Sequence, residues 1–505
     1  MLIVGAGPTG LVLALWLTRL GVRVRIIDKL AASGTTSRAL AVQARTLEYY
    51  QQMGLAQAVL DRGYKVPALN LWVRTKQAAR IPLDNLGQGL TPFPFPIIFP
   101  QDQHETLLIE TLRRNGVDVE RRIELADFEE TGAAIRATLR SGGSAETATY
   151  AYLAGCDGAR SRVREIMGTG FPGGTYDHLF YVADVESTGA PMNGELHVDL
   201  DDADFLAVFP LAQSGRARLI GSVRDDAAQD HEHLQFTDVQ GRAMRNLKVE
   251  IKHVNWFSTY RVHHRVAQQF RKGRAFLLGD AAHIHSPVGG QGMNTGIGDA
   301  VNLAWKLAAA LKDPLAAPLL DSYEPERIAF ARRLVATTDS AFTAVISGSG
   351  LTRFVRTKVV PTLVPMLFRV AAIRRLVFKT ISQIEINYRV SPLSRGTARA
   401  LHGGDRLPWV DTGTHGDEFN FSALNSIDWQ IHVYGEASAA LRTVAERRKI
   451  PLHVFDWRAP MKQAGLTRNA VYLIRPDGYV ALADAEGSAA AIGDYLNDKH
   501  IAVIH

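Results

Sequence analysis

The chain opens with a short apolar run, a cluster of glycines and a longer apolar stretch. Leu2 to Val4 are three large apolar residues in succession, which is typical of a buried strand. The stretch from Leu11 to Leu20 is apolar over a helical length and follows the glycines at once. A second strand is predicted from Val22 to Ile27, and it ends at Asp28. This order predicts a β-α-β unit, in which a helix covers one face of a parallel sheet.

Beyond this unit the pattern alternates between strand-like and helix-like regions. Residues 68–100, 117–155 and 175–265 are strand-like, and the last of these is the candidate for a substrate-facing sheet. Helices are predicted at 43–53 and 101–115, and they dominate from 294 to about 385. A break rich in Gly, Ser and Pro at 391–404 precedes a final α/β unit, and the chain shows no internal repeat.

The segment from 275 to 311 carries the most informative chemistry. A strand, Ala275 to Leu278, stops at Gly279-Asp280, and a glycine-rich crossing leads to an amphipathic helix from about Asn294 to Leu311. Asp280 can accept a hydrogen bond from a sugar-like hydroxyl, and glycines let the backbone approach a flat ring because no Cβ intervenes. The helix N-terminus offers free N–H groups and partial positive charge. These parts predict a site for a large, polar, partly anionic cofactor.

The glycines at the start of the chain form a second cofactor signal. Gly5, Gly7 and Gly10 match G-x-G-x-x-G, with a strand before them, a helix after them and Asp28 at the end of the next strand. In this pattern the glycines admit a pyrophosphate and allow close helix packing, while the acid accepts from a ribose hydroxyl. The alternative is a glycine-rich turn that binds nothing.

A third motif lies between Tyr152 and Ser161. It reads as a strand that ends in Asp157-Gly158 and leads to a helix start with three arginines. Asp157 can hold a sugar hydroxyl there, but a simple turn aspartate beside solvated arginines explains the same residues equally well.

Composition and charge agree with an enzyme that has ample core. The 505 residues predict two to four domains, and the hydrophobic content of 46% is ordinary. The net charge of +6 is mild for this length, so it gives no reason to expect nucleic acid as a partner. A single cysteine, Cys156, excludes an internal disulfide and fits a reducing cytoplasm, where we expect the protein to reside.

Two segments could be mistaken for membrane signals. The first 20 residues are apolar but lack a basic leader, so we expect no targeting segment there. Residues 340–384 contain seven Lys or Arg and no acidic residue, and their apolar run from Val359 to Phe368 is too short to span a bilayer. Two interpretations remain, namely helices laid against the body with solvated basic residues, or contact with a membrane surface.

With these motifs in place, the chain resembles the FAD-dependent aromatic hydroxylases, the class A flavoprotein monooxygenases with the para-hydroxybenzoate hydroxylase fold. The resemblance covers nearly the whole chain and is strongest to the phenol hydroxylase and polyketide hydroxylase branch. It rests on GAGPTG with Asp28, on CDGARS, and on GDAAHIHSPVGGQGMNTGIGDAVNLAWKL, in that order. Further support comes from Ser37-Arg38-Ala39 with Arg45-Thr46-Leu47-Glu48, and from Pro100-Gln101 before Glu105.

The resemblance implies an α/β fold: a Rossmann-like, glutathione reductase-like FAD-binding domain with an inserted β-sheet substrate domain and a C-terminal thioredoxin-like domain. The expected boundaries are 1–174 and 268–345 for the FAD-binding domain, with a short substrate-domain excursion near 70–100. The substrate domain is expected at 175–267, a helical connector at 346–398 and the thioredoxin-like domain at 399–505. Because no cysteine follows Cys156, that last domain has no redox cysteines, and a structural or dimerising role is expected.

The resemblance also assigns cofactor-binding residues in this chain. Gly5, Gly7 and Gly10 would hold the pyrophosphate, Asp28 and Lys29 would meet the adenosine ribose, and Leu125 would make a backbone contact to adenine. Arg38, Gln101 and Asp280 would reach the FAD and its ribityl chain, and Asp157 would serve it indirectly. The residues expected to line the isoalloxazine are Pro287, Gly289, Gly290, Gly292, Met293 and Asn294.

The implied reaction uses NADPH or NADH as a transient reductant and dioxygen as co-substrate. A flavin C(4a)-hydroperoxide would then hydroxylate a phenolic or polycyclic aromatic substrate, because the cofactor carries the hard chemistry. Baeyer–Villiger insertion, epoxidation, flavin reduction without hydroxylation and a non-enzymatic FAD-binding scaffold remain as alternatives. A homodimer is a further expectation from the resemblance.

Substrate contacts are the least determined part of the sequence. Candidates on the middle sheet are Tyr181, His197, Phe205, Phe209 and Arg218. On a strand, each of these residue types is more often part of the packed core or of the surface than a contact to a ligand. No catalytic acid or base is assigned, because Leu40-Ala41-Val42 stands where phenol hydroxylase carries an acid. His283 and His285 flank the glycine crossing, but without a carboxylate cluster at ligand spacing we expect no metal site and assign them to holding the loop.

Overall fold

The structure is a computed structural model of the chain. The structure describes residues 1–34, 39–73, 75–200, 205–211, 215–223, 234–286, 289–346, 354–412 and 419–501. Arg38 and Pro287, both expected at the cofactor, lie outside these residues.

A six-stranded sheet, parallel except for one edge strand, forms the first layer and contains the start of the chain. Its strands, in spatial order, are Arg271–Lys272, Ala275–Leu277, Leu153–Gly155, Leu2–Val4, Arg25–Asp28 and Val119–Arg121. The central strands are fully buried, as expected for a parallel sheet covered on both faces. The predicted strand at Val22 begins only at Arg25, because residues 21–24 connect the preceding helix to the sheet.

The strand-like region 117–155 is confirmed, and most of it forms a β-meander of three antiparallel strands, Glu124–Thr131, Ala134–Ser141 and Ser144–Tyr150. A small sheet of Ala41–Val42, Ile97–Ile98 and Tyr64–Lys65 lies beside the first layer.

The strand-like region 175–265 is confirmed as part of an eight-stranded middle sheet, which takes in the strands near residues 68–82 as well. Its spatial order is His283–Ile284, Val249–Val266, Gly173–Gly189, Arg216–Ser222, Leu206–Pro210, Leu196–Asp199, Ala68–Val73 and Lys76–Pro82. The edge strand His283–Ile284 belongs to the segment that leads into the glycine crossing, so this sheet is joined directly to the predicted cofactor site.

The last sheet contains the strands of the predicted C-terminal α/β unit. In spatial order they are Leu401–His402, Arg395–Ala398, Val480–Asp484, Val471–Ile474, Gln430–Tyr434 and Leu452–Phe455.

Helices cover the sheets. The α-helices are Pro8–Arg19, Ala44–Gln52, Ala56–Arg62, Gln101–Arg114, Arg162–Met167, Arg242–Leu247, Gly292–Lys312, Tyr323–Ile346, Val360–Phe368, Ala371–Ile381, Ala439–Arg448, Ala459–Gln463 and Ala489–Asp498. Shorter 3-10 segments are Phe236–Val239, Gly279–Ala281, Pro314–Ser322 and Asn420–Ser426, and Val355–Val359 is a π-helix. The helices Pro8–Arg19 and Gly292–Lys312 are almost wholly buried and pack against each other, which brings the two predicted cofactor motifs together.

Candidate cofactor-binding site

The three glycines of the turn at the chain start differ in the room that each would leave for a Cβ. A Cβ on Gly5, which has φ of +103°, would overlap the main chain of Cys156, and a Cβ on Gly10 would overlap the Gly5 carbonyl. Gly7 has no described residue within 4 Å of the position of a Cβ, and it caps the helix Pro8–Arg19 without a side-chain hydrogen bond. Gly5 and Gly10 are therefore needed for packing, while the helix N-terminus beside Gly7 is open to a ligand.

Asp28 lies at the end of the second parallel strand and faces the glycine turn. Its carboxylate accepts hydrogen bonds from the Ala6 and Leu30 main-chain N–H groups, each at 2.8 Å. Lys29 beside it is exposed, and Leu125 is buried in the adjoining meander. A carboxylate can accept from further donors, so Asp28 is positioned to take a hydroxyl.

The segment 275–311 meets the glycine turn of the chain start at the N-terminus of the helix Gly292–Lys312. A Cβ on Gly296 would overlap the Thr9 hydroxyl and lie 3.1 Å from the Gly279 Cα. This helix, like Pro8–Arg19, has no side-chain cap and no acidic residue in its first turn. Asp280, adjacent to Gly279, is exposed at the end of the strand Ala275–Leu277. Two helix N-termini and one exposed carboxylate thus converge on the same edge of the parallel sheet.

Asn294 fixes the glycine crossing to the neighbouring small sheet. Its Oδ1 accepts from the Gln43 main-chain N–H at 2.9 Å and from the Thr46 hydroxyl at 2.8 Å. Its Nδ2 donates to the Ala41 and Gly290 carbonyls, both at 2.8 Å. All four hydrogen bonds of the Asn294 side chain are made within the protein, so the side chain holds the glycine crossing in place. A contact from Asn294 to a ligand would therefore come from its main chain.

The glycines of this crossing lie against the same small sheet. The Gly289 carbonyl accepts from Gln43 Nε2 at 2.9 Å, and a Cβ on Gly290 would meet the Ala41 Cβ at 2.8 Å. A Cβ on Gly292 would find its nearest neighbour, the His285 ring, at 3.8 Å. Met293 is half-buried against the core. Gly290 is therefore needed for packing, whereas Gly292 borders open space.

A buried ion pair between Asp299 and Arg327 supports the segment that contains Gly279 and the glycine crossing. Asp299 accepts from Arg327 Nε at 2.6 Å, from the Gly279 main-chain N–H at 2.9 Å and from His283 Nε2 at 2.7 Å. Arg327 also donates to the Tyr388 hydroxyl and to the Thr295 carbonyl. The Arg327 and His283 partners hold the pKa of Asp299 below its usual range, although burial alone, the largest influence, would raise it. His283 therefore holds the loop, as the sequence suggested.

The imidazole ring of His285 lies beside Gly292, at the glycine crossing. Nδ1 lies 2.8 Å from the Ser286 carbonyl, whereas the buried Nε2 has no hydrogen-bond partner among the described residues. Burial lowers the pKa of His285 to about 4, and His283 adds to that effect, so the ring is neutral at pH 7. This buried nitrogen, which no described residue satisfies, is placed beside Gly292 where a ligand would supply the partner.

Asp157 and Gln101 both have protein partners. The Asp157 carboxylate accepts from the Ser161 hydroxyl at 2.6 Å and from the Val163 N–H at 3.1 Å, and burial raises its pKa. It therefore holds the turn that packs against Gly5. Gln101 donates to Glu105 at 2.7 Å, and burial, the largest influence, raises the pKa of that carboxyl.

The five substrate candidates fall on two faces of the middle sheet. Phe209 packs with Leu40 and Ile98 on the face toward the glycine crossing. Arg218, paired with Phe209 across the strands, makes a two-point ion pair with Asp184 at 2.5 and 2.7 Å.

Tyr181 and His197 lie on the opposite face, away from the crossing. Tyr181 belongs to the core under the helix Arg242–Leu247 and, with Phe205, lines a cavity of about 20 Å³, which has room for about one water. His197 bonds to Trp72 Nε1 and Asn193 Oδ1, each at 2.9 Å. The structure therefore does not bring the five candidates together. Among the described residues, no group of three or more His, Cys, Asp or Glu could hold a metal ion.

Comparison with known proteins identifies the cofactor of this protein. Residues 1–338 match a family described as FAD binding domain, which covers both glycine motifs and the strands between them. The chain belongs to this FAD-binding family. Its relatives include 6-methylpretetramide 4-monooxygenase from Streptomyces rimosus, which is 35% identical over 99% of this chain and 93% of that protein. A dialkyldecalin synthase from Streptomyces rugosporus is 30% identical over 97% of both proteins.

The fold comparison agrees with this assignment. The structure of the anhydrotetracycline hydroxylase OxyS from Streptomyces rimosus matches with a TM-score of 0.78 at 26% identity, over 98% of each chain. This chain is therefore an FAD-dependent monooxygenase, and the class A resemblance derived from its motifs is confirmed. NADPH or NADH and dioxygen, the other reactants of this family, are confirmed with it.

The residues present fit FAD on the evidence of the site itself. An anionic, ring-bearing cofactor would fill the open space at Gly7 and meet the uncapped helix N-termini. It would also supply a partner for the His285 nitrogen that has none among the described residues. Sequence reasoning missed the support beneath it, namely Asp299 and Arg327. A signal existed, because Asp299 and Lys306 are charged residues in the interior of a largely apolar helix, and such charges are rarely buried without a partner.

Proposed function

We propose that this FAD-dependent monooxygenase hydroxylates a phenolic, polycyclic aromatic substrate. The observation that carries the proposal is the likeness to 6-methylpretetramide 4-monooxygenase over 99% of the chain. The apolar face of the middle sheet toward the glycine crossing supports it, since Leu196, Phe209 and Ile220 there suit a flat, apolar ligand. We accordingly assign the middle sheet to substrate binding, with Phe209 as the favoured contact among the five candidates.

Each proposed cofactor contact follows from where its residue lies. The main-chain N–H groups that follow Gly7 would donate hydrogen bonds to the pyrophosphate. Asp28 would accept a hydrogen bond from a ribose hydroxyl, and Asp280 would accept one from a ribityl hydroxyl. The main chain from Gly289 to Asn294 would lie along the isoalloxazine ring. Bound FAD supplies the electron transfer and the activation of dioxygen, while the protein binds, orients and excludes water. The N-terminus of the helix Gly292–Lys312 would stabilise negative charge on the ring edge.

The proposed thioredoxin-like character of the C-terminal unit, the domain boundaries and the homodimer rest on the resemblance. The C-terminal sheet of mixed strand direction, with helices Ala439–Arg448 and Ala489–Asp498 close to each other, is compatible with such a unit.

The deciding experiment measures NADPH and NADH oxidation by the purified protein with a panel of polycyclic phenols and simple phenols. Hydrogen peroxide and product mass are followed in the same samples. We expect one polycyclic phenol to stimulate oxidation and to yield a product heavier by one oxygen. A colourless protein that does not take up added FAD would refute the cofactor site. Stimulation by simple phenols alone would refute the polycyclic substrate.

A second outcome is anticipated by one relative. Because a dialkyldecalin synthase shares 30% identity over 97% of the chain, a product of unchanged mass formed without NADPH would indicate ring formation rather than oxidation. Fragmentation of a product that is heavier by one oxygen separates ring hydroxylation from insertion into a carbon–carbon bond and from epoxidation.

A cofactor-site variant connects this activity to the residues. Asp280→Asn removes one charged acceptor, and such a hydrogen bond contributes about 1.5–3 kcal/mol, so the Kd for FAD is expected to rise at least tenfold. The matched control is Asp494→Asn, an exposed aspartate on the last helix, which should leave the Kd unchanged.

A further inference from the structure

The segment 354–381 forms an unusual surface, which we call the basic apolar surface. Of the twelve large hydrophobic residues that are exposed in the described part of the chain, eight lie in this segment. They are Phe354, Val355, Leu363, Met366, Leu367, Val370, Leu376 and Ile381. Single exposed apolar residues are ordinary, but a concentration of them marks an interaction site.

The helix Val360–Phe368 packs against the body through one face. Val360, Val364 and Phe368 pack against the edge of the middle sheet, next to Leu71 and Ile81. The spacing of these three side chains places them on one helix face. The inner face thus anchors the helix, and its outer face has no partner among the residues that the structure describes.

The outer face of the same helix is equally regular. Leu363, Met366, Leu367 and Val370 follow the i, i+3, i+4, i+7 spacing, and Met366 is 66% exposed. The following helix, Ala371–Ile381, is anchored by the buried Phe378, which packs against Gly87, and it exposes Leu376. Both helices therefore present apolar side chains outward from a fixed position.

The charge on this surface has one sign. Lys358, Arg369 and Arg375 are exposed among the apolar side chains, and residues 340–384 contain no Asp or Glu. Among the described residues, the ion pair found at its border joins Lys379 to Glu385 at 3.9 Å. The surface is therefore cationic as well as apolar.

The combination of apolar and basic side chains distinguishes between two partners for this surface, a second copy of the chain and a lipid bilayer. In a two-fold dimer built on this surface, the same patch would meet itself, and basic residues would face basic residues with no acid on the patch to compensate. An anionic lipid bilayer suits both properties, since apolar side chains enter the region of the acyl chains while Lys and Arg meet the phosphates. No helix in the described ranges is long and apolar enough to cross a membrane, so contact would be at the surface.

We propose that the basic apolar surface docks this enzyme on an anionic membrane surface. The test uses the full-length holoenzyme and its sedimentation with large vesicles of phosphatidylcholine, with and without 30% phosphatidylglycerol. We expect binding to the anionic vesicles and at least tenfold weaker binding to phosphatidylcholine alone. Because opposite charges attract less strongly in salt, 0.5 M NaCl should weaken the anionic binding by a similar factor.

Two pairs of variants separate the apolar from the charged contribution. Leu363→Ser with Met366→Ser should weaken vesicle binding at least tenfold. The control pair, Leu315→Ser with Val390→Ser, changes apolar residues that lie elsewhere and are at least as exposed, and it should not weaken binding. Arg369→Glu with Arg375→Glu should abolish the preference for anionic lipid, whereas Arg447→Glu with Lys462→Glu changes the net charge equally and should preserve it. FAD content and melting temperature confirm that each variant is folded.

Several results would overturn the proposal. They are no vesicle binding by the wild type, equal binding to neutral and anionic vesicles, and equal losses in the variants and their controls. Sedimentation velocity of the wild type and the Leu363→Ser, Met366→Ser variant tests the competing occupant. A wild-type dimer that this variant dissociates, without vesicle binding, would assign the surface to a second copy of the chain.

Discussion

Asp299 connects the cofactor loop to the buried interior, and its replacement by asparagine tests whether that connection matters. The substitution keeps the size of the side chain but leaves the fully buried Arg327 without its carboxylate. Removing one partner of a buried ion pair costs about 3–5 kcal/mol, because the remaining charge stays out of water. Arg327 keeps its bonds to Tyr388 and to the Thr295 carbonyl, so we expect the lower end, about 3 kcal/mol.

The same change should also weaken cofactor binding. Asp299 accepts from the Gly279 main-chain N–H, and Gly279 sets the position of Asp280. Urea unfolding of the apoprotein, followed by circular dichroism, measures the first effect, and titration of the apoprotein with FAD measures the second. We expect the unfolding midpoint to fall and the Kd for FAD to rise about tenfold, which corresponds to about 1.4 kcal/mol.

The matched control is a surface pair of the same type. Asp321 bonds to Arg271 at 2.5 Å but is 70% exposed, so Asp321→Asn should cost no more than about 1 kcal/mol. If the two variants lose equal stability, the argument from burial is wrong. If Asp299→Asn loses stability but keeps the FAD affinity of the wild type, the ion pair supports the fold without positioning the site.

Two further predictions concern packing and pH. Gly10→Ala would press a Cβ into the Gly5 carbonyl, so FAD content, read from the flavin absorbance, should fall below about a tenth of wild type, while Gly493→Ala, which has open space, should keep it. Burial lowers the pKa of His104 to about 3, so the folded state holds it neutral, whereas the unfolded chain binds a proton below about 6.5. Stability that depends on neutral His104 is therefore present above pH 6.5 and lost toward pH 3, amounting to about 2 kcal/mol between pH 8 and pH 5. Urea unfolding of His104→Phe at both pH values should show a loss smaller by that amount, and parallel losses in the two proteins would contradict the assignment.

The parts of the site that sequence reasoning predicted are those encoded by neighbouring residues. Gly5, Gly10 and Asp28 lie within one β-α-β unit, so their spacing alone implies the turn and the acid beside it. The support through Asp299 and Arg327 joins two helices whose approach depends on the whole fold, and no local pattern names the partner. The faces of Tyr181 and Phe209 were undetermined for a related reason, since side chains alternate along a strand and only the register of the sheet decides which set faces the cofactor.

The C-terminal unit also contributes to the site, through charges rather than through thiols. Arg475, in a turn of that unit, donates to Glu326 at 2.8 and 3.0 Å, and Glu326 also accepts from Lys306 at 2.8 Å. Asp477 balances Arg475 at 2.6 Å and accepts from the Trp305 indole at 3.2 Å, so the four buried charges sum to zero. Such a group is stable only while every partner is present, because each isolated charge would lie unpaired in the interior. Lys306 and Trp305 belong to the helix whose first turn borders the glycine crossing. The unit without redox cysteines is therefore bound to the helix that forms the cofactor site, and its loss would expose unpaired charge in the core of the FAD-binding domain.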